Sequence, residues 1–324
     1  MKDDNNSMQP FYHLRPNKCI DRHLFQQTLI GLSRFLDIHD YKYIGFGSFM
    51  FDDFKLLHDT LNISRMVSLE IDPEVYERAK YNLPYKCISV VNTSSDQYIA
   101  ELALEDNDHS IFWLDYTNPR DLGMQLADFA SLLGKLNSLD IVRITLNANP
   151  ASLGEPDNRC QTLKERVVEQ YLPNNLDTIN FTHREYPKVL LQILKSIATQ
   201  ILMGNPPYSP NYLLPLFSCV YKDGQQMLTF TGIVVASEQN EEDVRRALTG
   251  FPHNSFKWDD PCVIKVPALT IRELSNLSRH LPVCLGAEEL IEQFPFLFSK
   301  KDKESIESYI KYYKYYPHYH QVRF

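Results

Sequence analysis

Four apolar segments in the first 120 residues are each followed by small or polar side chains that could bind a ligand. Carboxylates at such positions can accept hydrogen bonds from hydroxyl or amino groups, and glycines let the backbone approach a ligand closely. Because the four groups follow the segments in order, we predict one ligand site built by all of them. Its members are Gly45, Phe46, Gly47 and Ser48 after residues 41–45, Glu70 and Ile71 at the end of residues 65–71, Ser94 and Asp96 after residues 87–91, and Asp115, Tyr116 and Asn118 after residues 110–114.

Structural interpretations compete with the ligand-binding ones at these positions. A carboxylate such as Glu70 suits the two hydroxyls of a ribose. Asp96 suits an adenine amino group, although a helix cap is the stronger interpretation of that residue taken alone. For Asp72, which directly precedes Pro73, a helix cap is preferred. The Gly-x-Gly spacing fits a structural turn as well as it fits a ligand contact.

The elements that must position these side chains alternate along the chain. Short apolar runs separated by amphipathic helices are typical of a parallel sheet with helical crossovers, the doubly wound α/β class. In such sheets, ligands bind at the carboxyl ends of the strands. A turn at Asp223-Gly224 between two apolar runs predicts a closing antiparallel hairpin. The predicted strands are residues 41–45, 65–71, 87–91, 110–114, 140–146, 213–221 and 226–235.

Three regions follow from this pattern. Residues 1–40 form an N-terminal helical segment, and residues 41–237 form the α/β domain, with an irregular insertion at about 151–185. Residues 238–324 are predicted to form a small, mainly helical appendage.

Composition narrows the class of protein. With 33 basic and 41 acidic residues, the formal charge of −8 argues against broad nucleic-acid or membrane binding. No apolar run is long enough for a transmembrane helix, and the polar start is unlike a signal peptide. The six cysteines are widely spaced, which argues against zinc and against a disulfide framework and favours a cytoplasmic location.

Residues 41–235 resemble the class I S-adenosylmethionine-dependent methyltransferases, whose sheet ends in such a hairpin. The segment SLEIDPE (68–74) is similar to the second-strand motif of their O-methyltransferase branch, and VVNTSSDQYI (90–99) to its adenine-side motif. The phrases YHLRPNKCIDRHLF, YIGFG and DDFKLLH also resemble a bacterial group described as O-methyltransferases. The resemblance implies S-adenosylmethionine as cofactor, with Glu70 on its ribose, Asp96 on its adenine, Gly45 and Gly47 near its methionine end, and Asp115 near the reacting centre.

Two departures from this pattern leave a second function open. Metal-dependent relatives carry a second acidic group after the fifth strand, where this chain has Leu146-Asn147-Ala148-Asn149, so no metal is predicted. Bulky residues also crowd the first glycine turn. The preferred function is methyl transfer to an oxygen or nitrogen nucleophile, with Asp115 as base or orienter and Tyr116 and Asn118 as substrate contacts. The alternative is a catalytically inactive binding or assembly subunit of a bacterial multi-protein complex, for example in defence.

Partners and two further motifs complete the expectations. The acceptor substrate is unidentified, and residues 11–25 and the appendage are expected to shape its site. The appendage is also the expected contact for a protein partner or a second copy. The tyrosine-rich tail 300–324 is expected to pack, with nucleic-acid binding less favoured. Asn205-Pro206-Pro207-Tyr208 matches an amino-methyltransferase motif but follows the wrong element, so a turn is preferred.

Overall fold

A computed structural model describes residues 15–105, 108–203, 211–282 and 286–317. Its centre is an eight-stranded sheet with the strand order β3-β2-β1-β4-β5-β7-β6-β8. Strands β1 to β5 pair in parallel, and β7 pairs antiparallel with β5. The strands are β1 (Lys42–Gly45), β2 (Arg65–Glu70), β3 (Ile88–Asn92), β4 (Ser110–Asp115), β5 (Ile141–Asn147), β6 (Tyr212–Lys222), β7 (Gln226–Val235) and β8 (Cys262–Ile264).

Helices connect the parallel strands, and four helices follow β7 in the described part of the chain. They are α1 (Pro16–Leu32), α2 (Asp52–Leu61), α3 (Pro73–Tyr81), α4 (Ser95–Glu101), α5 (Leu122–Leu133), α6 (Arg159–Arg166), α7 (Tyr186–Met203), α8 (Glu238–Ala247), α9 (Ile271–Ser278), α10 (Ala287–Gln293) and α11 (Lys303–Tyr312). The predicted doubly wound α/β class with a closing hairpin is confirmed.

The central strands are buried because helices cover the sheet. All seven residues of β5 are buried, and so are the first five of β4, which accounts for their largely apolar character, although Arg143 and Thr145 of β5 are buried as well. Helices α5 and α7 contribute many side chains to the same core cluster, among them Phe129, Leu194 and Ile197. This packing fixes where each strand ends, and the strand ends carry the predicted site.

The chain divides into two compact units. The larger unit comprises residues 25–220 and 225–262, and the smaller unit comprises residues 1–24, 221–224 and 263–324. These boundaries differ from the predicted regions 1–40, 41–237 and 238–324, since α8 is grouped with the sheet.

Within the smaller unit, Asp223 caps the first turn of α1. Its carboxylate accepts hydrogen bonds from the backbone amides of Asn17 (3.3 Å) and Lys18 (2.8 Å) and from Asn17 Nδ2 (2.7 Å). Asn17 Oδ1 in turn accepts from the amide of Val266 (2.8 Å). The predicted turn is present, with Gly224 at φ +140°, and its aspartate also stabilises a helix start.

A disulfide joins Cys219 of β6 to Cys262 of β8, within the larger unit. The cysteine spacing argued against a disulfide framework, and it did not predict this single bond. The two residues are 43 positions apart in sequence but lie on adjacent strands. Their spacing in sequence could not reveal this proximity.

Two further observations concern the remaining expectations. None of the described helices is both long and apolar enough to cross a membrane. The motif Asn205-Pro206-Pro207-Tyr208 lies outside the described residues.

Candidate functional site

The predicted ligand side chains converge on one edge of the sheet. Strand β1 lies between β2 and β4, so the chain order reverses there, and ligands of doubly wound sheets bind at the carboxyl ends of the strands beside such a reversal. In the pairing register, Gly45 lies opposite Ser68 on one side and Trp113 on the other. The ends of β2 and β4 therefore flank the turn that follows β1.

Packing explains the two glycines of this turn. A Cβ on Gly45 would lie 2.9 Å from the Tyr43 hydroxyl, and one on Gly47 would lie 2.7 Å from Ser68 Oγ. The amide of Gly47 also donates to Ser68 Oγ (3.0 Å). The left-handed residue of the turn is Ser48, at φ +50°. Both glycines thus allow a close approach of protein to protein, and their predicted contact with a cofactor stays a prediction.

Glu70 lies at the end of β2 and is tied to this turn. Its carboxylate accepts a hydrogen bond from the backbone amide of Ser48, which lowers its pKa. Burial has the larger effect, and together with the charge of Asp72 it raises the pKa of Glu70 to about 7. Its Oε1 atom is buried without a hydrogen-bond partner among the described residues. A buried acceptor of this kind is suited to ligand hydroxyls.

Ile71 follows Glu70 and extends its apolar side chain into solvent. It is 73% exposed, unusual for an isoleucine directly after a buried strand. Asp72 accepts from the amides of Glu74 (2.8 Å) and Val75 (3.1 Å), so its predicted role as the cap of α3 is confirmed.

Asp96 makes local hydrogen bonds at the start of α4. Its carboxylate accepts from the Ser94 hydroxyl and from the amides of Gln97 and of Asp96 itself, and these bonds lower its pKa. Its side chain is exposed. The N-cap of α4 is Ser94, so Asp96 binds amides within the first turn and is not the cap residue itself. The predicted adenine contacts of Ser94 and Asp96 stay predictions.

Three predicted residues lie at the end of β4 or just after it, and two of them are engaged in structural bonds. Asp115, half-buried, ends the strand opposite Thr145 of β5. The Tyr116 hydroxyl donates to Asp128 (2.6 Å), and burial and this neighbouring charge raise its pKa. Asn118 accepts from the amide of Arg120 (3.1 Å). Tyr116 and Asn118 therefore shape the loop, and their predicted substrate contacts stay predictions.

Tyr116 also has neighbours that connect the loop to other parts of the site. Its ring packs edge-on against Phe46, with centroids 5.4 Å apart. Ser95 at the start of α4 donates to the same Asp128 carboxylate (2.5 Å). The turn after β1, the start of α4 and the loop after β4 are thereby linked through one side chain.

One residue that the sequence patterns did not reveal is Gln226, the first residue of β7, which lies beside the end of β5. This buried side chain donates to the carbonyl oxygens of Ala148 (2.9 Å) and His183 (2.8 Å). Asn147 Oδ1 accepts a hydrogen bond from the backbone amide of Asn149 (3.0 Å), so Asn147 stabilises the turn that follows β5. In the described part of the chain, no group of three or more His, Cys, Asp or Glu side chains is placed to hold a metal ion.

A separate recess lies at the opposite edge of the sheet. It has a volume of about 350 Å³ and is lined by residues that precede β1 and end α2, among them Asp37, His39 and Asn62. Because ligands of doubly wound sheets bind at the carboxyl edge, this recess is not the predicted site.

The strand order, with its reversal at β1 and its closing hairpin, defines a Rossmann-like fold of the methyltransferase type. The sequence matches the model of a family described as "Putative O-methyltransferase" over residues 10–324. The chain therefore belongs to this methyltransferase family, and the predicted resemblance is confirmed. No curated protein matches the sequence.

Solved methyltransferase structures show distant likenesses. Trm1 from Pyrococcus horikoshii, in complex with S-adenosyl-L-methionine, is 13% identical, with 91% of this chain and 76% of that chain covered and a TM-score of 0.45. The N-methyltransferase NodS from Bradyrhizobium japonicum, in complex with S-adenosyl-L-homocysteine, is 13% identical, with coverages of 70% and 93% and a TM-score of 0.39. The fibrillarin pre-rRNA processing protein of Methanococcus jannaschii is 12% identical, with coverages of 61% and 68% and a TM-score of 0.32.

Proposed function

We propose that the protein transfers the methyl group of S-adenosylmethionine to an oxygen or nitrogen nucleophile. The observation that carries this proposal is Glu70, which is held by the Ser48 amide beside the reversal point of the sheet and has one carboxylate oxygen without a hydrogen-bond partner among the described residues. Exposed Ile71 beside it offers an apolar surface for a planar base. A carboxylate and an apolar surface in this position suit the adenosine part of the cofactor.

Glu70, the turn after β1 and Asp115 receive roles in this proposal. Glu70 would accept from the ribose hydroxyls, and the turn from Gly45 to Ser48 would lie against the methionine part. Asp115 would orient the nucleophile or take its proton. The cofactor supplies an electrophilic sulfonium methyl group, so the protein's task is to align the acceptor with that methyl and to exclude water.

Equilibrium binding of S-adenosylmethionine and S-adenosylhomocysteine tests the proposal. We expect both to bind wild-type protein, and Glu70→Ala to weaken binding by about 1–3 kcal/mol, because a charged hydrogen-bond set is lost. Glu74→Ala is the matched control, since Glu74 is exposed on α3 and its substitution should leave affinity unchanged. Absence of binding at high micromolar ligand would overturn the proposal.

A transfer assay separates the enzyme from an inactive subunit of the same fold. Tritium in the donor methyl group should appear in a small-molecule or macromolecular acceptor fraction of a cell extract. Donor binding without transfer to any fraction, together with stable co-purification of a partner, would instead favour the assembly-subunit function.

A further inference from the structure

A glutamine and a histidine form a fixed pair beside the end of β5. Gln226 is 7% exposed, and both hydrogens of its side-chain amide have acceptors, the carbonyl oxygens of Ala148 and His183. These two bonds determine which end of the amide carries nitrogen. Its Oε1 atom consequently faces Nδ1 of His183, at 3.2 Å.

This pairing sets the tautomer of the imidazole. An amide oxygen can only accept, so the hydrogen between the two groups must reside on Nδ1 of His183. The neutral ring then carries its lone pair on Nε2. The His183 side chain is exposed, and none of the described residues hydrogen-bonds Nε2. Nε2 is therefore an accessible proton acceptor.

The pair lies at the same edge of the sheet as Asp115. Asp115 is opposite Thr145 on β5, and Ala148, three residues further on, donates its amide to the Gln226 carbonyl (2.8 Å). Since β5 separates β4 from β7, two strand spacings across the sheet and three residues along it place the backbones of Asp115 and Gln226 about 14 Å apart. An acceptor molecule bound between Asp115 and the Gln226–His183 pair could contact both.

Charged neighbours of His183 are largely paired with one another. Glu185 binds Lys188 (3.0 Å) and lies 3.7 Å from Arg184. Glu185 is thus paired with two cations, and Gln226 is the group whose hydrogen bond determines the tautomer of the His183 ring.

We infer that His183 is the general base of the reaction and that the acceptor is an alcohol or a phenol. The inference rests on the proposed methyl transfer. Nε2 takes the hydroxyl proton while the oxygen attacks the sulfonium methyl; the methyl–sulfur bond breaks, and its electron pair stays on sulfur. The products are a methyl ether and S-adenosylhomocysteine, and the imidazolium hydrogen on Nδ1 remains bonded to Gln226 until Nε2 releases its proton to solvent. Asp115 is left to orient the acceptor.

Nitrogen-15 NMR of histidine-labelled protein tests the inference without an acceptor. The His183 signals are assigned by their loss in His183→Gln. We expect the ring proton on Nδ1 and a bare Nε2, and we expect the Nε2 signal to shift when S-adenosylmethionine replaces S-adenosylhomocysteine, because those ligands differ only at the sulfonium methyl. His39, whose side chain is 59% exposed and lies at the opposite edge of the sheet, is the control and should not respond.

The outcomes separate this inference from the function on which it rests. An Nε2–H tautomer, or an Nε2 signal that is the same in both complexes, overturns the inference although the donor still binds. Failure of both ligands to bind overturns the proposed function and the inference with it.

A kinetic test examines the base role itself. Catechol, 4-methylphenol and 1-octanol serve as acceptor probes with tritiated donor. For any probe that is methylated, His183→Gln should lower the rate at least about 100-fold with donor affinity unchanged, whereas Arg184→Gln should retain the rate. An unimpaired His183→Gln variant would overturn the inference; if no probe reacts, the NMR outcome decides it.

Discussion

Glu70 is partly buried, and its proposed hydrogen bonds to the cofactor ribose need an ionised carboxylate. The Ser48 amide favours its charged form, but burial and the charge of Asp72 outweigh that bond and raise its pKa to about 7. An ionised carboxylate accepts hydrogen bonds at both oxygens, whereas a protonated one must also place a hydrogen. A group that titrates near neutrality should therefore make cofactor binding depend on pH.

The affinity for S-adenosylhomocysteine should increase as pH rises through 7. If only the ionised form of Glu70 binds, its population falls from nearly complete at pH 8 to about a tenth at pH 6, so the dissociation constant should be about tenfold larger at pH 6. Calorimetric titrations at several pH values measure this. Glu70→Gln is the control, because titration of the ligand itself appears in both proteins; an equal pH dependence in the two would contradict the prediction.

Individual residues differ in how far sequence could define their roles. Asp72 was predictable as a cap because the signal is local, an acid before a proline at the start of a helix. The strand-end position of Glu70 was also predictable, but its bond to Ser48 was not. Gln226 was missed because it contacts Ala148, 78 residues earlier, and no periodic pattern marks such a contact.

At the scale of elements, the hydrophobic pattern of the sequence predicted the strands of the sheet more closely than the ends of some helices. The parallel strands were recognisable because burial on both faces favours runs of mainly apolar side chains. Helix α6 is the clearest difference: it is Arg159–Arg166, within the region of about 151–185 that was expected to be irregular, and extended Val167 follows it. Gly123 contributes a physical reason, since it packs against the Arg166 carbonyl so closely that a Cβ would lie 2.4 Å from that oxygen.

The hairpin turn between β6 and β7 should contribute to stability through Asp223. Asp223→Ala removes the acceptor for the amides of Asn17 and Lys18 at the start of α1. We expect a loss of about 1–3 kcal/mol in the free energy of unfolding, because cap bonds to a charged group are lost and helix-end amides are left without partners.

Urea unfolding followed by circular dichroism measures this loss. Asp223→Asn is the matched variant and should lie between wild type and alanine, since its amide oxygen replaces only one acceptor. Equal stability of the alanine variant and wild type would show that the cap contributes nothing.

At the scale of the whole molecule, an acidic chain ends in a basic, tyrosine-rich segment. Tyr309, Tyr312 and Tyr316 are at most 3% exposed. The Tyr316 hydroxyl donates to the Pro267 carbonyl (3.0 Å) and accepts from the Leu269 amide (3.1 Å). Lys303 is paired with Glu288 (2.7 Å), which neutralises part of the local charge. The expected packing is therefore present in the described part of the tail.

Removal of the tail should lower stability because these tyrosines bury large apolar areas within the smaller unit. Deletion of residues 300–324 should lower the melting temperature or the soluble yield. Tyr316→Ala should have a smaller effect in the same direction, while Lys314→Ala, at an exposed position, should leave the melting temperature unchanged.

Differential scanning fluorimetry measures these changes in melting temperature. Filter binding of single-stranded RNA to the same proteins is measured alongside, at several salt concentrations. If the deletion leaves stability unchanged but removes salt-dependent RNA binding, the tail is a nucleic-acid-binding segment and the packing interpretation is wrong.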